Sequence, residues 1–337
     1  MSRLHLCFAC ILLVATAGFP AFSGTISASG VGVSTLRLTD PVGGGPMEAA
    51  LFYPASRPTG ASLIGPSYRI DAEPEAPLQD GPHPLILLSH GHEGSRWGHH
   101  DLAEHLALQG FVVAAIEHPG DNYRDQSGIG TERVLLGRAT QISALLTGVL
   151  ADTRFGPAID RDRIGVAGFS AGGYTSLLLV GANPDFDLIH PYCRRHPLDG
   201  ELCGFLGLFR HMPANPEKGA LRDSRIRAAF VMAPLAIFFD QQALAAIEVP
   251  VFLVYAGGDR VLIPEENGAR IMPFLGSLAG YRVVAGADHY VFLAPCPLEQ
   301  KARRPEICAD PPGIDRGKVH RTINGDAVSF FSRALPE

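Results

Sequence analysis

The stretch Gly168-Phe169-Ser170-Ala171-Gly172-Gly173 decides how the fold of this chain is interpreted. An apolar run at residues 164–167 precedes it and predicts a buried strand, and residues 171–180 predict a helix. A serine on such a sharp strand-to-helix turn takes a strained backbone conformation, and the positions two before and two after it tolerate only glycine-sized residues. The N-terminus of the helix favours negative charge beside the hydroxyl. The motif therefore predicts a nucleophile at Ser170.

Two other interpretations of this motif compete with a nucleophile. A turn serine without chemistry has the same local sequence, and this alternative stays open. A phosphate-binding loop is disfavoured, because the first strand-to-helix turn lacks G-x-G-x-x-G and no acidic residue follows in register.

A serine nucleophile needs a base, and the base needs an acid that orients it. In this type of sheet the expected chain order is serine, acid, histidine. Asp259 follows a predicted strand at 249–255, and His289 follows the next one at 281–284. Both residues lie where the carboxyl ends of parallel strands gather catalytic groups, so they are the predicted acid and base. Asp240 is the alternative acid. Asp288 is another candidate for the acid, but it adjoins His289 in sequence, which makes it difficult for the two side chains to orient each other.

The loop after the first strongly apolar strand, residues 84–89, reads Ser89-His90-Gly91-His92-Glu93-Gly94. A loop at this point must lend a backbone N–H to the oxyanion, together with the N–H of the residue after the nucleophile. The predicted oxyanion-hole donors are the backbone amides of His92 and Ala171.

Several histidines near this loop raise the alternative of a metallohydrolase. Residues 100–105 approach the pattern H-x-x-E-H, but Asp101 occupies the first histidine position. We therefore expect no metal, and a metal-dependent hydrolase stays a minor alternative. The histidines concerned are His90, His92, His99, His100 and His105.

Strands alternate with helices through most of the chain, which predicts a mostly parallel sheet with helices on both faces. Residues 24–337 are interpreted as one domain, in which a cap-like insertion at about 183–224 contains the apolar cluster Phe205, Leu206, Leu208 and Phe209. That cluster lines the substrate pocket or packs a small core of its own. The predicted strands are 31–38, 48–53, 84–89, 111–116, 164–167, 228–232, 249–255 and 281–284; the predicted helices are 101–108, 131–150, 171–180, 241–247 and 266–278, and residues 54–84 are a long loop.

The N-terminus has the features of a secretory signal peptide over residues 1–23. Arg3 is followed by an apolar run that is short for a membrane span, and small residues then offer a cleavage site. A retained membrane anchor is the alternative. Cleavage would leave no stable membrane span, and it predicts a periplasmic or secreted protein.

Four of the six cysteines would remain after cleavage, and an even number in an exported chain predicts two disulfides. Three pairings are open. The local one, Cys193–Cys203 with Cys296–Cys308, is favoured because each pair flanks one irregular segment. A zinc site is disfavoured because no two of these cysteines have the close spacing of zinc ligands.

Composition excludes other classes of protein. The 337 residues are 46% hydrophobic and 18% charged, which is not the composition of a disordered chain. The net charge is −6, and it becomes −7 once Arg3 is removed with the signal peptide. No basic block is present, so we expect no nucleic-acid partner.

Together these residues resemble the α/β-hydrolase fold, and more narrowly its dienelactone-hydrolase-like and platelet-activating-factor-acetylhydrolase-like branch. The resemblance spans about residues 85–290 and rests on 88–94, Ile116-Glu117-His118, 168–173, Gly258-Asp259 and Asp288-His289. It implies no metal and no organic cofactor. Dienelactone hydrolases use cysteine as the nucleophile, so Ser170 favours ester hydrolysis of the acetylhydrolase or esterase kind.

The sequence thus predicts a serine hydrolase that cleaves a small-molecule ester, with a lipid-like or small acyl group, through an acyl-enzyme. A peptidase, amidase or lactonase that uses the same three residues is one alternative. A catalytically inactive binding protein on a hydrolase scaffold is another, and the presence of all three residues disfavours it.

Overall fold

The computed structural model describes residues 28–64, 68–200, 202–204 and 214–337. The predicted signal peptide and the apolar cluster at 205–209 lie outside the described residues. Among the helices that are described, none combines the length and apolar character needed to cross a bilayer.

Strands and helices alternate along the described chain as the sequence predicts. The strands are β1 (Gly30–Thr39), β2 (Pro46–Ala55), β3 (Ser62–Ile64), β4 (Tyr68–Ile70), β5 (Glu73–Pro74), β6 (His83–Ser89), β7 (Val112–Glu117), β8 (Ile159–Phe169), β9 (Ala228–Met232), β10 (Val251–Ala256) and β11 (Leu278–Val284). The α-helices are α1 (His100–Leu108), α2 (Glu132–Leu135), α3 (Gly137–Ala151), α4 (Ala171–Leu179), α5 (Ile189–Arg195), α6 (Gln241–Ala245), α7 (Gly268–Ile271), α8 (Leu298–Arg303), α9 (Pro305–Cys308) and α10 (Arg316–Ala334).

Nine of these strands form one sheet in the order β11-β10-β9-β8-β6-β7-β2-β1-β5. The strands from β11 to β7 run parallel, whereas β2 is antiparallel to both of its neighbours. β8, the strand that leads to Ser170, lies in the middle of the parallel part. The predicted α/β-hydrolase fold is confirmed, and the central strand places the serine above the middle of the sheet.

Helices cover both faces of the sheet. Alternate residues of β6 belong to two different cores: Leu85 and Leu87 pack with α3 and α4 on one face, and Ile86 and Leu88 pack with α1 and α10 on the other. This alternation follows from the two-residue period of a strand. Both faces are apolar along β6, as expected of a strand that is covered on both sides.

The structure corrects four predicted elements. The helix predicted at 131–150 is divided at Leu136 into α2 and α3, and α3 begins at Gly137, a poor helix-forming residue. Of the helix predicted at 266–278, only α7 forms. A 3-10 turn that contains Pro273 follows it, because proline removes a helical hydrogen bond. Residues 54–84 contain three short strands and the first residues of β6. The long helix α10 was not predicted.

Two disulfides, Cys193–Cys203 and Cys296–Cys308, are present, which is the local pairing that the sequence favours. The first joins α5, in the insertion, to the residues that follow it. The second closes the segment that contains α8 and α9. Both therefore close irregular segments outside the sheet.

Candidate active site

Ser170 lies on the sharp turn between β8 and α4, as predicted. Its φ is +55° and its ψ is −116°, a conformation that is strained for any residue except glycine. The end of β9 holds this turn in place: the Ser170 N–H donates to the Met232 carbonyl at 2.9 Å, and Leu235 N–H donates to the Ser170 carbonyl at 3.1 Å. The strain is thus built into the fold around the serine.

Gly168 and Gly172 are required by the close approach of backbone atoms. A Cβ on Gly168 would lie 2.1 Å from the carbonyl oxygen of Gly172, and a Cβ on Gly172 would lie 1.9 Å from the carbonyl oxygen of Ser89. Neither carbonyl can move without displacing a strand or helix. The spacing G-x-S-x-G therefore follows from packing at this turn.

Asp259 and His289 are brought together by the ends of β10 and β11. The Asp259 Oδ2 atom is 2.7 Å from His289 Nδ1, and the other carboxylate oxygen accepts N–H groups from Val261 at 3.0 Å and Leu262 at 2.7 Å. Only 6% of Asp259 and 2% of His289 is exposed. A buried carboxylate at this distance orients the imidazole and fixes the proton on Nδ1.

The two alternative acids have structural roles instead. Asp240 caps α6, because its Oδ1 accepts the Ala243 N–H at 2.7 Å. Asp288 caps the 3-10 turn at residues 289–292, accepting the His289 N–H at 2.8 Å, and its other oxygen pairs with Arg260. Burial raises the pKa of Asp288, but the Arg260 hydrogen bond and backbone N–H groups outweigh it and leave that pKa lowered.

Aromatic packing joins His289 to the turn that carries the serine. The Phe169 ring, next to Ser170 in the chain, lies 4.7 Å from the His289 ring between centroids. Phe169 also contacts Phe292, just after His289, at 5.9 Å. The Phe169 ring therefore contacts the predicted base, His289, and is the chain neighbour of the predicted nucleophile, Ser170.

The loop after β6 lies against Ser170, as the oxyanion-hole prediction requires. A Cβ on Gly91 would come 3.3 Å from Ser170 Cβ and 2.9 Å from the Phe169 ring. His92 follows Gly91 directly, and Ala171 is the first residue of α4, where helical N–H groups have no partner within the helix. The two predicted donors thus lie on the segments next to the serine, and their role as oxyanion donors stays a prediction.

A cavity of about 510 Å³ borders the loop that carries His289. Its lining residues include Arg260, Asp288 and Tyr290 together with Pro305, Glu306 and residues 309–312. The volume is in the range of pockets for small organic ligands.

Two of the histidines that suggested a metal contact other groups in the structure. His99 Nδ1 lies 3.0 Å from the Phe292 carbonyl, and His100 Nδ1 lies 2.8 Å from Glu104. Across the described residues, no group of three or more His, Cys, Asp or Glu side chains is arranged to hold a metal ion.

The sequence analysis missed a buried ion pair beneath the loop after β6. Arg138, on α3, is 1% exposed, and Asp121 is 0% exposed. The Arg138 guanidinium pairs with one Asp121 oxygen and donates to the His90 carbonyl. Burial raises the pKa of Asp121, but Arg138 and His92 outweigh burial and hold it well below the usual range. No local spacing marks these two residues, which are 17 positions apart.

Comparison with known proteins agrees with this fold. Residues 61–135 match the family model described as platelet-activating factor acetylhydrolase, isoform II. A structure described as a ferulic acid esterase from Streptomyces cinnamoneus superposes with a TM-score of 0.61 at 21% identity, covering 93% of this chain and 92% of that chain. Comparison with curated proteins gives no match.

The chain is therefore an α/β-hydrolase by fold. The predicted resemblance to the platelet-activating-factor-acetylhydrolase-like branch is confirmed, and the matched segment contains the whole loop after β6. The family model matched over residues 61–135 is that of a carboxylic ester hydrolase, which is the predicted enzyme class, whereas the ferulic acid esterase, at 21% identity, shows the fold.

Proposed function

We propose that the chain hydrolyses carboxylic esters through an acyl-enzyme formed on Ser170. The observation that carries this proposal is the buried contact of 2.7 Å between Asp259 and His289, at the sheet edge that also presents the strained serine. Three groups with the chemistry of a triad thus follow three parallel strands of one sheet, β8, β10 and β11, in the expected order.

The proposed mechanism follows from these positions. Ser170 Oγ attacks the ester carbonyl carbon while His289 Nε2 takes its proton, and the resulting imidazolium is stabilised by Asp259. Backbone amides of His92 and Ala171 donate to the oxyanion. The protonated imidazole then gives its proton to the leaving alcohol, and His289 activates a water molecule that releases the acid.

We propose a lipid-like or small acyl ester as the substrate class. The cavity lined by Tyr290 adjoins the loop that carries His289, although Ser170 and His289 are not among its lining residues. Among the compared proteins, one name specifies an acetylhydrolase and the other an esterase of ferulic acid. A panel of esters of increasing acyl length, with one feruloyl ester and matched amides and lactones, therefore discriminates between esterase, amidase and lactonase activity.

The experiment that tests this function is Ser170→Ala assayed on that panel. We expect turnover to fall by about 10⁴-fold or more, since removal of a triad member generally has this effect. Ser224→Ala, a substitution of the same kind at an exposed position, is the matched control and should leave turnover unchanged. Ester hydrolysis by the Ser170→Ala protein at the native rate would contradict the proposal.

We also propose that the mature protein is an exported single domain that starts near residue 24. The two disulfides support export, because such bonds persist in oxidising compartments. One sheet takes strands from residue 30 to residue 284, which supports a single domain. Sequencing the N-terminus of protein recovered from the culture medium or periplasm tests the cleavage: an N-terminus at residue 1 would refute it.

A further inference from the structure

Two contacts to the Gly91 carbonyl oxygen hold the peptide bond between Gly91 and His92 in place. That oxygen accepts the Gly94 N–H at 3.1 Å and lies 2.7 Å from His90 Nδ1. In a trans peptide the N–H points away from the carbonyl. Whatever fixes the Gly91 carbonyl therefore also fixes the direction of the His92 N–H, the proposed oxyanion donor.

The neighbouring contact defines which nitrogen of His90 carries the proton. His90 Nε2 accepts the backbone N–H of His118 at 3.1 Å, so the proton is on Nδ1 and is donated to the Gly91 carbonyl. Burial and the nearby Arg138 guanidinium lower the pKa of His90 to about 3. His90 is therefore neutral at working pH and keeps this tautomer.

Asp121 holds the other end of the same loop. Its Oδ1 is 2.5 Å from His92 Nδ1 and accepts the Glu93 N–H at 3.1 Å. Arg138 occupies the opposite carboxylate oxygen and also donates to the His90 carbonyl. The ion pair thus contacts the loop on both sides of the Gly91–His92 peptide.

We propose that Asp121, locked by Arg138, is a positioning residue that aims the His92 N–H at the oxyanion through its contact with the His92 imidazole. This inference rests on the proposed function, because it assigns a role within the same oxyanion hole. A purely stabilising role explains the pair poorly, since apolar residues of similar volume commonly replace buried ion pairs without loss of stability.

The test replaces the His92 side chain, which is 35% exposed and therefore tolerates substitution better than its buried partners. His92→Ala removes the contact with Asp121 but keeps the backbone donor. His92→Asn places an amide N–H near the position of the lost Nδ1. His105→Ala, on α1 and outside the site, is the matched control.

We expect kcat of His92→Ala to fall about 10- to 100-fold, the range for a misplaced catalytic group, while KM changes less than about twofold. His92→Asn should recover most of kcat, and His105→Ala should equal the native enzyme. A native kcat in His92→Ala, or an equal loss in His92→Asn, would overturn the positioning role. Failure of the proposed function itself is distinguishable, because it appears as activity that survives in Ser170→Ala.

Discussion

Replacing Asp259 by asparagine tests how the fold fixes the tautomer of His289. One carboxylate oxygen of Asp259 accepts two backbone N–H groups, from Val261 and Leu262, and the other faces His289 Nδ1. An asparagine must keep its carbonyl oxygen toward the two backbone donors. Its NH₂ group then faces Nδ1, which becomes an acceptor, so the imidazole proton moves to Nε2.

An imidazole protonated on Nε2 cannot take the proton of Ser170. We therefore expect Asp259→Asn to lower kcat by about 10⁴-fold, the loss seen when a triad acid becomes an amide. At about 1.36 kcal/mol for each tenfold change, this is about 5.4 kcal/mol of lost transition-state stabilisation. The backbone hydrogen bonds are retained, so the fold should change little.

The assay is steady-state hydrolysis of the best ester of the panel, with thermal unfolding to verify the fold. Asp288→Asn and Asp240→Asn are the matched controls, because asparagine also caps helices well. We expect both controls to keep kcat within about threefold of native, in line with surface capping roles. An Asp259→Asn enzyme within tenfold of native, or an equal loss in Asp288→Asn, would refute the assignment of the acid.

Two further predictions concern stability. Gly172→Ala should destabilise the protein by about 3 kcal/mol or more, because its Cβ would lie 1.9 Å from the Ser89 carbonyl. Gly325→Ala in α10, where a Cβ meets no atom within 4 Å, is the control and should stabilise by about 0.5–1 kcal/mol; equal denaturant midpoints for the two variants would contradict the packing argument. Cys296→Ser opens a loop with a sequence separation of 12 and should cost about 3 kcal/mol on the chain-entropy account, measured by thermal unfolding; an unchanged Tm would mean that the disulfide contributes nothing.

The strands β9 and β10 could be predicted because they are short, apolar and buried on both faces. Residues 228–232 are predicted as a strand and form β9 with the same bounds. The helix α10 carried a signal that was not used: Ile323, Ala327 and Phe330 repeat at helical spacing and are all buried. Helix interruptions were harder to predict: Leu136 lies between α2 and α3 and is followed by Gly137, and a single glycine within a helical pattern is often tolerated.

Some residues of the candidate site could be predicted from the sequence, and others could not. Ser170, Asp259 and His289 lie in the turns that follow predicted strands, so local sequence patterns predict their placement. Arg138 lies within a helix, and its partners are 17 and 48 residues away in the chain. Only the tertiary fold brings such residues together, so no sequence spacing indicates the ion pair beneath the loop after β6.

The most direct test of the central claim is to label the native protein with a fluorophosphonate probe and to map the modified residue by mass spectrometry. We expect one modified residue, Ser170, and no labelling of Ser170→Ala. Modification of a different residue, or failure of the native protein to react, would contradict the assignment of Ser170 as an activated nucleophile.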